Sequence, residues 1–172
     1  MSFSKSERRS TSTNPGSARS PAQRLLTWLM QKKWRLSRSL TLGAQVCVID
    51  AQDRVLLVRH GYRPGWHFPG GGVEFGETIL KAAVRELEEE VGIIAGEQLH
   101  LFGIYSNHRL FPGDHVALFI LRTFSQPSLP APSFEIAAQA FFHSTSLPED
   151  TAEGTRRRIE EVFRRRDQSP EW

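Results

Sequence analysis

The sequence predicts an α/β layered domain, and three observations carry that reading. Short runs of apolar and β-branched residues recur from Leu40 onward. Residues 77–91 place Leu80, Ala83, Val84, Leu87 and Val91 at three- and four-residue spacing, which is the pattern of a helix with one apolar face. A second helix fits residues 152–166, with Ile159, Val162 and Phe163 turned inward. Strands before and after one helix, with another helix at the end, make a mixed α/β arrangement.

The elements follow in chain order. Residues 1–20 hold seven serines with Pro15 and Gly16 and almost nothing to bury, so they read as a disordered basic tail. A Ser-rich, Arg-rich, acid-poor start is also the composition of an organellar transit peptide. Residues 21–39 place Leu25, Leu26, Leu29 and Trp34 at roughly helical spacing among basic residues, predicting a short amphipathic helix that packs on its own domain. The main domain is expected over residues 40–166. Residues 40–49 and "VLLVRH" (55–60) read as a hairpin-like strand pair about the turn "DAQD". A Gly- and Pro-rich loop after Trp66 then leads into the first helix, and Gly92 ends that helix as a C-terminal cap. Further strands are expected at residues 99–105, 116–123 and 138–142, and residues 167–172 are left as a C-terminal tail.

Composition narrows the function classes. The 172 residues exceed a usual domain of about 100 to 150 by enough for one core and a tail. The net charge of +3 conceals an asymmetry: residues 1–38 carry a balance of +8 and the remainder −5. The longest apolar run, Val116 to Leu121, is far below the ~18 residues that span a bilayer, so no transmembrane segment is expected. Cys47 is the only cysteine, which rules out an intrachain disulfide and suits a reducing, cytoplasmic setting. The arginines at 156–158 and 164–166 alternate with Glu160 and Glu161, the pattern of a solvated, ion-paired helix face, and nucleic-acid binding is not expected of them.

The stretch "WHFPGGGVEFGETILKAAVRELEEEVG", residues 66–92, carries six of the nineteen acidic residues and a single arginine. Glu86, Glu89 and Glu90 are related by three and four positions, so their carboxylates share a helix face, where each like-charged pair costs about 0.2–0.5 kcal/mol. They also gather toward the C-terminal, negative end of the helix dipole, where anions are disfavoured. An exposed acidic face is the plain alternative, but a divalent cation would reverse both penalties. Hard cations such as Mg2+ take carboxylate oxygens together with substrate phosphates. The run Gly70, Gly71, Gly72 and then Gly76 lets backbone approach a ligand closely. Together these describe a Mg2+-diphosphate site.

The spacing Gly71, Glu77, Arg85-Glu86-Leu87-Glu88-Glu89-Glu90-Val91-Gly92-Ile93 resembles the Nudix box at every defined position. The resemblance implies a Nudix-type α/β/α sandwich with a mixed central sheet. It further implies a Mg2+-dependent pyrophosphohydrolase, with Mn2+ as an alternative ion, cleaving a nucleoside diphosphate linked to another moiety. Glu86, Glu89 and Glu90 would be the metal ligands, joined by the backbone carbonyl of Gly70. Arg85 would orient a carboxylate and pair with Glu77, while Glu74 and Glu88 would be peripheral. The general base is a box glutamate in some relatives and a glutamate on a later loop in others, and Glu135 resembles the latter. The rival reading is a Nudix-fold binding module without hydrolysis, its basic tail engaging RNA or an anionic membrane.

Outside the box, candidates for holding a small nucleotide are Arg63, Trp66 and His67 before it and Tyr105, His108 and Arg109 after it. The polar, Pro-Gly-punctuated loop at 105–115 suits a substrate rim. The subfamily signatures leave the substrate open: the proline expected about sixteen residues past the box is Arg109, with Pro112 three residues late. A monomer or homodimer is expected.

Overall fold

The computed structural model describes residues 40–131 and 135–172; the expected tail of residues 1–20 and helix of residues 21–39 lie outside them. The elements are β1 (Thr41–Val48), β2 (Arg54–His60), β3 (Trp66–His67), β4 (Gly70–Gly72), α1 (Ile79–Val91), β5 (Ile94–Ala95), β6 (His100–Ser106), β7 (Asp114–Leu121), β8 (Phe124–Ser125), β9 (Ile136–His143) and α2 (Glu153–Val162). Four strands form a mixed sheet in the order β4-β1-β7-β6, and three form a second sheet in the order β3-β2-β9. β1 runs parallel to β7 and antiparallel to β4, so the larger sheet has the mixed character expected.

Strand periodicity builds the layers, because alternate residues face opposite sides. Ala44, Val46 and Val48 of β1, Leu56 and Val58 of β2, and Ala117, Phe119 and Leu121 of β7 pack with Ala82, Ala83, Leu87 and Val91 of α1. Their intervening neighbours Cys47, Val55, Leu57 and Leu118 pack instead with Phe68, Tyr105 and Ile159 of α2. Each helix covers one face, which is the α/β/α sandwich.

α1 has a cap at each end. Thr78 accepts a hydrogen bond from the Lys81 amide at 3.2 Å, satisfying a first-turn donor. Gly92 closes the helix at φ 66°, and the Ile93 amide returns to the Leu87 carbonyl at 3.0 Å. A Cβ at Gly92 would lie 2.4 Å from the Ser128 carbonyl, so both conformation and space require glycine here.

Four expectations need correction. β1 and β2 do not form a hairpin: their backbone pairing stops at the Ile49–Val55 bridge and the bond from the Asp50 amide to the Arg54 carbonyl, and each pairs along its length with strands of a different sheet. Asp50 Oδ1 accepts from the Gln52 and Arg54 amides, making a tight turn that carries the chain between sheets. The glycine loop contains a strand, β4, since pairing with β1 outweighs glycine's poor strand propensity.

The second helix ends at Val162, and one side of its charged sequence is buried rather than solvated. Arg158 and Glu161 are ion-paired at 2.6 Å with side chains 0% and 1% exposed. The Arg158 guanidinium also lies 4.2 Å from the Tyr105 ring centre, and Tyr105 donates its hydroxyl to Glu161 at 3.2 Å. Residues 167–172 are not a loose tail. The Ser106 amide donates to the Pro170 carbonyl at 2.9 Å, and the Trp172 amide to the Ser106 carbonyl at 3.0 Å.

Two outcomes test this core. Removing one member of a buried ion pair strands the other's charge, so Arg158→Met is expected to lower unfolding free energy by about 3–5 kcal/mol in urea titrations. The double change Arg158→Met/Glu161→Leu recovers most of that loss. Cys47 is fully buried and its thiol is pushed up to about 12 by burial, so a disulfide reagent at pH 8 should label it only on unfolding.

Candidate functional site

The box residues assemble around Arg85. Its guanidinium reaches Glu77 at 2.9 Å, Glu86 at 2.8 Å and Glu89 at 3.2 Å, and donates to the Gly72 carbonyl at 3.2 Å. The four-residue steps from Glu77 through Lys81 and Arg85 to Glu89 place these groups along one row of the helix and its N-terminal extension. Glu77 also accepts the Glu74 amide at 2.7 Å, which closes the loop ahead of the helix. The hydrogen bond from Arg85, then the Glu74 contact, hold the Glu77 carboxyl below its usual range.

Glu90, outside the Arg85 cluster, is bonded to the glycine strand instead. Its side chain is 6% exposed and accepts the Gly70 amide at 2.7 Å. Burial, with Glu86 and Glu135 nearby, pushes its carboxyl up to about 8 against the opposing pull of the Gly70 amide. Burial raises Glu86 as well, with Arg85 opposing. Glu89 is 62% exposed at its side chain and faces solvent.

Glu74, Arg85, Glu86, Glu89, Glu90 and Glu135 line one recess of about 310 Å3, bringing the four box residues and the distant Glu135 together. As they stand, no three carboxylate, imidazole or thiol groups among the described residues converge as a ready ligand set for a metal ion. Arg85 occupies Glu86 and Glu89, and the Gly70 amide occupies Glu90. The donor set fits a hard divalent cation: all are carboxylate oxygens, and burial disfavours the ionised form of Glu86 and Glu90, a penalty that a bound cation would offset.

The glycine strand forms the wall behind these acids. A Cβ at Gly71 would meet Glu86 Oε1 at 2.4 Å, and one at Gly70, where φ is 138°, would meet the Ala44 carbonyl at 2.2 Å. On its other side β4 borders a larger cleft of about 580 Å3, lined also by Gln45, Tyr62, Arg63, His67, Asn107, Asp114, Arg157 and Trp172 among others. That volume falls within the ~300–1,000 Å3 typical of small-molecule sites.

Of the substrate-binding candidates, Arg63 and His67 line this cleft. Arg63 donates to His60 Nε2 at 2.7 Å, so that nitrogen carries no proton. Burial and then Arg63 push His60 down to about 4, keeping it a neutral acceptor that orients the guanidinium. Burial lowers His67 too.

The other four candidates lie elsewhere. Tyr105 is fully buried under α2, because the alternation of β6 turns it inward. Trp66 packs edge-on against Phe142 at 4.9 Å, with Arg59 over its ring. His108 is exposed and contacts Ser106 Oγ at 3.1 Å, and Arg109 is paired with Glu171 at 2.7 Å.

Sequence reasoning missed Glu74, set aside as peripheral though it lines the recess, and Gln45, Asn107, Asp114, Arg157 and Trp172 in the cleft. Glu74 could have been found from its place inside the box. Asn107 and Asp114 lie within the 105–115 loop expected to rim the substrate, whereas nothing local marks Gln45, Arg157 or Trp172, which come from three separate parts of the chain.

Comparison with known proteins agrees with this geometry. The NUDIX domain family matches residues 39–163. An ADP-ribose pyrophosphatase from Methanocaldococcus jannaschii is 38% identical over 79 residues, 43% of this chain and 46% of that one. An RNA pyrophosphohydrolase from Francisella philomiragia is 48% identical over 48 residues, 28% of this chain and 31% of that one. The chain spans about half the length or less of the curated relatives it matches. Among solved structures, a MutT NUDIX hydrolase from Burkholderia pseudomallei superposes with a TM-score of 0.63 at 25% identity, covering 72% of this chain and 98% of that one. With the box assembled on α1 and the domain match running through most of the described residues, the chain belongs to the Nudix family.

Proposed function

We propose that the protein hydrolyses a phosphoanhydride bond in a small nucleotide, a nucleoside diphosphate linked to a further nucleotide, sugar or phosphate, with Mg2+ or Mn2+ as cofactor. The observation that carries this reading is the convergence of five glutamates and Arg85 on one recess beside a nucleotide-sized cleft. The names of relatives agree on the bond class and differ on the substrate, covering ADP-ribose and RNA.

Glu86, Glu89 and Glu90 are the groups that would hold the cation, with the Gly70 backbone close to Glu90. Such a cation would supply charge neutralisation for diphosphate oxygens and acidification of a bound water. Arg85, braced by Glu77, keeps Glu86 and Glu89 aligned on the recess. Glu135 enters from the chain preceding β9 and shares the recess with Glu90, a position from which it can take a proton from the attacking water. Arg63, held by His60 on the cleft side of β4, is a charge for the substrate's phosphates.

The decisive assay incubates nucleoside diphosphate derivatives with the protein and measures phosphate released after phosphatase treatment. Activity is expected to vanish with EDTA and return with Mg2+ or Mn2+. Glu89→Gln and Glu90→Gln should each lower kcat at least about a hundredfold. Glu90→Gln should hold or raise the melting temperature, because the amide never ionises where burial penalises the carboxylate, yet keeps an acceptor for Gly70. Equal turnover in parent and variants on every hydrolysed nucleotide would overturn the assignment. Glu135→Gln should lower kcat about a hundredfold or more with KM little changed if it is the base, and an unaltered kcat would return that role to a box glutamate.

A further inference from the structure

We propose that residues 168–172 form a specificity strap that presents the Trp172 indole as the platform for the nucleoside base. This rests on the nucleotide chemistry proposed above, which places the diphosphate at the acids behind the glycine strand.

The strap is built into the domain. Its backbone pairs with Ser106 at the end of the edge strand β6, and Gln168 donates to the Tyr105 hydroxyl at 3.0 Å. The Ser169 amide donates to Glu161 at 3.0 Å. Two arginines of α2 complete the anchoring, Arg158 donating to the Glu171 carbonyl and Arg157 to the Trp172 carbonyl.

The indole at the end of this strap is held on several sides. It makes edge contacts with Tyr105 at 5.7 Å and Phe68 at 6.4 Å, and the Arg158 guanidinium lies 5.8 Å from its ring centre. Gly154, in the first turn of α2, lies against the ring, and a Cβ there would be 2.5 Å from the indole Nε1. The same half-buried ring lines the cleft, together with Gly154 and the glycine strand. The cleft therefore carries the backbone of the metal recess on one wall and an immobilised aromatic ring on another. A ring fixed before the ligand arrives loses little freedom on binding. Indoles stack on any base, since every base has a π-face. Tyr62, also on the cleft, is 59% exposed and is a less confined surface.

The experiment follows the four indole N–H signals of the full chain by NMR, with Trp172→Phe identifying its own signal by its loss. Adenosine, guanosine, cytidine and uridine monophosphates are titrated against ribose 5-phosphate, which has no base. At least one nucleoside monophosphate should shift the Trp172 signal, and ribose 5-phosphate should leave it in place. In the hydrolysis assay Trp172→Ala should raise KM about tenfold with kcat within about threefold, and Trp172→Phe should stay near the parent. A Trp172 signal unmoved by saturating amounts of all four monophosphates would overturn the proposal, whatever the alanine variant does to folding. So would a parental KM in a folded Trp172→Ala. If the parent hydrolyses no phosphoanhydride while the indole still responds to a base, the platform stands and the hydrolytic reading falls.

Discussion

The close approach of α1 to a strand without side chains is the constraint on which the site depends. Gly70, Gly71 and Gly72 lie between the helix and the cleft, and each meets a box residue with backbone or bare α-carbon. The Gly70 amide reaches Glu90, Gly71 leaves room for Glu86, and the Gly72 carbonyl accepts from Arg85. A side chain at Gly71 would displace a carboxylate, and one at Gly70 would drive β4 from β1. The glycines therefore do more than bend a loop: their lack of side chains lets the box residues of α1 pack directly against β4.

That approach concentrates negative charge, and the fold balances it unevenly. Arg85 offsets Glu77, Glu86 and Glu89, while Glu90 keeps a backbone amide and a neutral histidine 3.9 Å away. Burial then works against the ionised forms of Glu86 and Glu90. A carboxylate cluster that is part buried and only partly neutralised is a good receptor for a divalent cation, because the ion supplies the missing charge where water is restricted.

The opposite face of the sheet solves a related problem without a ligand. Arg158 and Glu161 are buried on the inner side of α2 and also bond the Tyr105 hydroxyl and the backbone of residues 169 and 171. The ion pair is thereby tied to the last residues of the chain, and those residues bring Trp172 to the cleft. Charge placement thus links each helix to its own cavity: α1 to the recess and α2 to the wall of the larger cleft.

The sequence alone determined whatever depends on short-range periodicity. α1 could be placed from its apolar stripe, its end from Gly92, and the Glu77–Arg85 and Arg85–Glu89 contacts from four-residue steps, because a helix sets those separations without help from the rest of the protein. The long apolar strands were legible for the same reason, but their partners were not: β1 and β2 are adjacent in sequence and belong to different sheets. Pairing is decided by which strands best bury both faces of β1, a property of the whole chain.

The site divides in the same way. Glu86, Glu89 and Glu90 and their arginine lie on one helix and were readable, whereas the cleft draws side chains from β1, the turn after β2, the loop before β7, α2 and the last residues. Tyr105 and Trp66 looked like substrate contacts because their chemistry suits a base, yet strand alternation buries one and Phe142 covers the other. Trp172 looked like the end of a tail and stands on the cleft because buried charge and an edge strand hold it there. Residue type could nominate a contact, but only tertiary packing decided which aromatic ring faces the cleft.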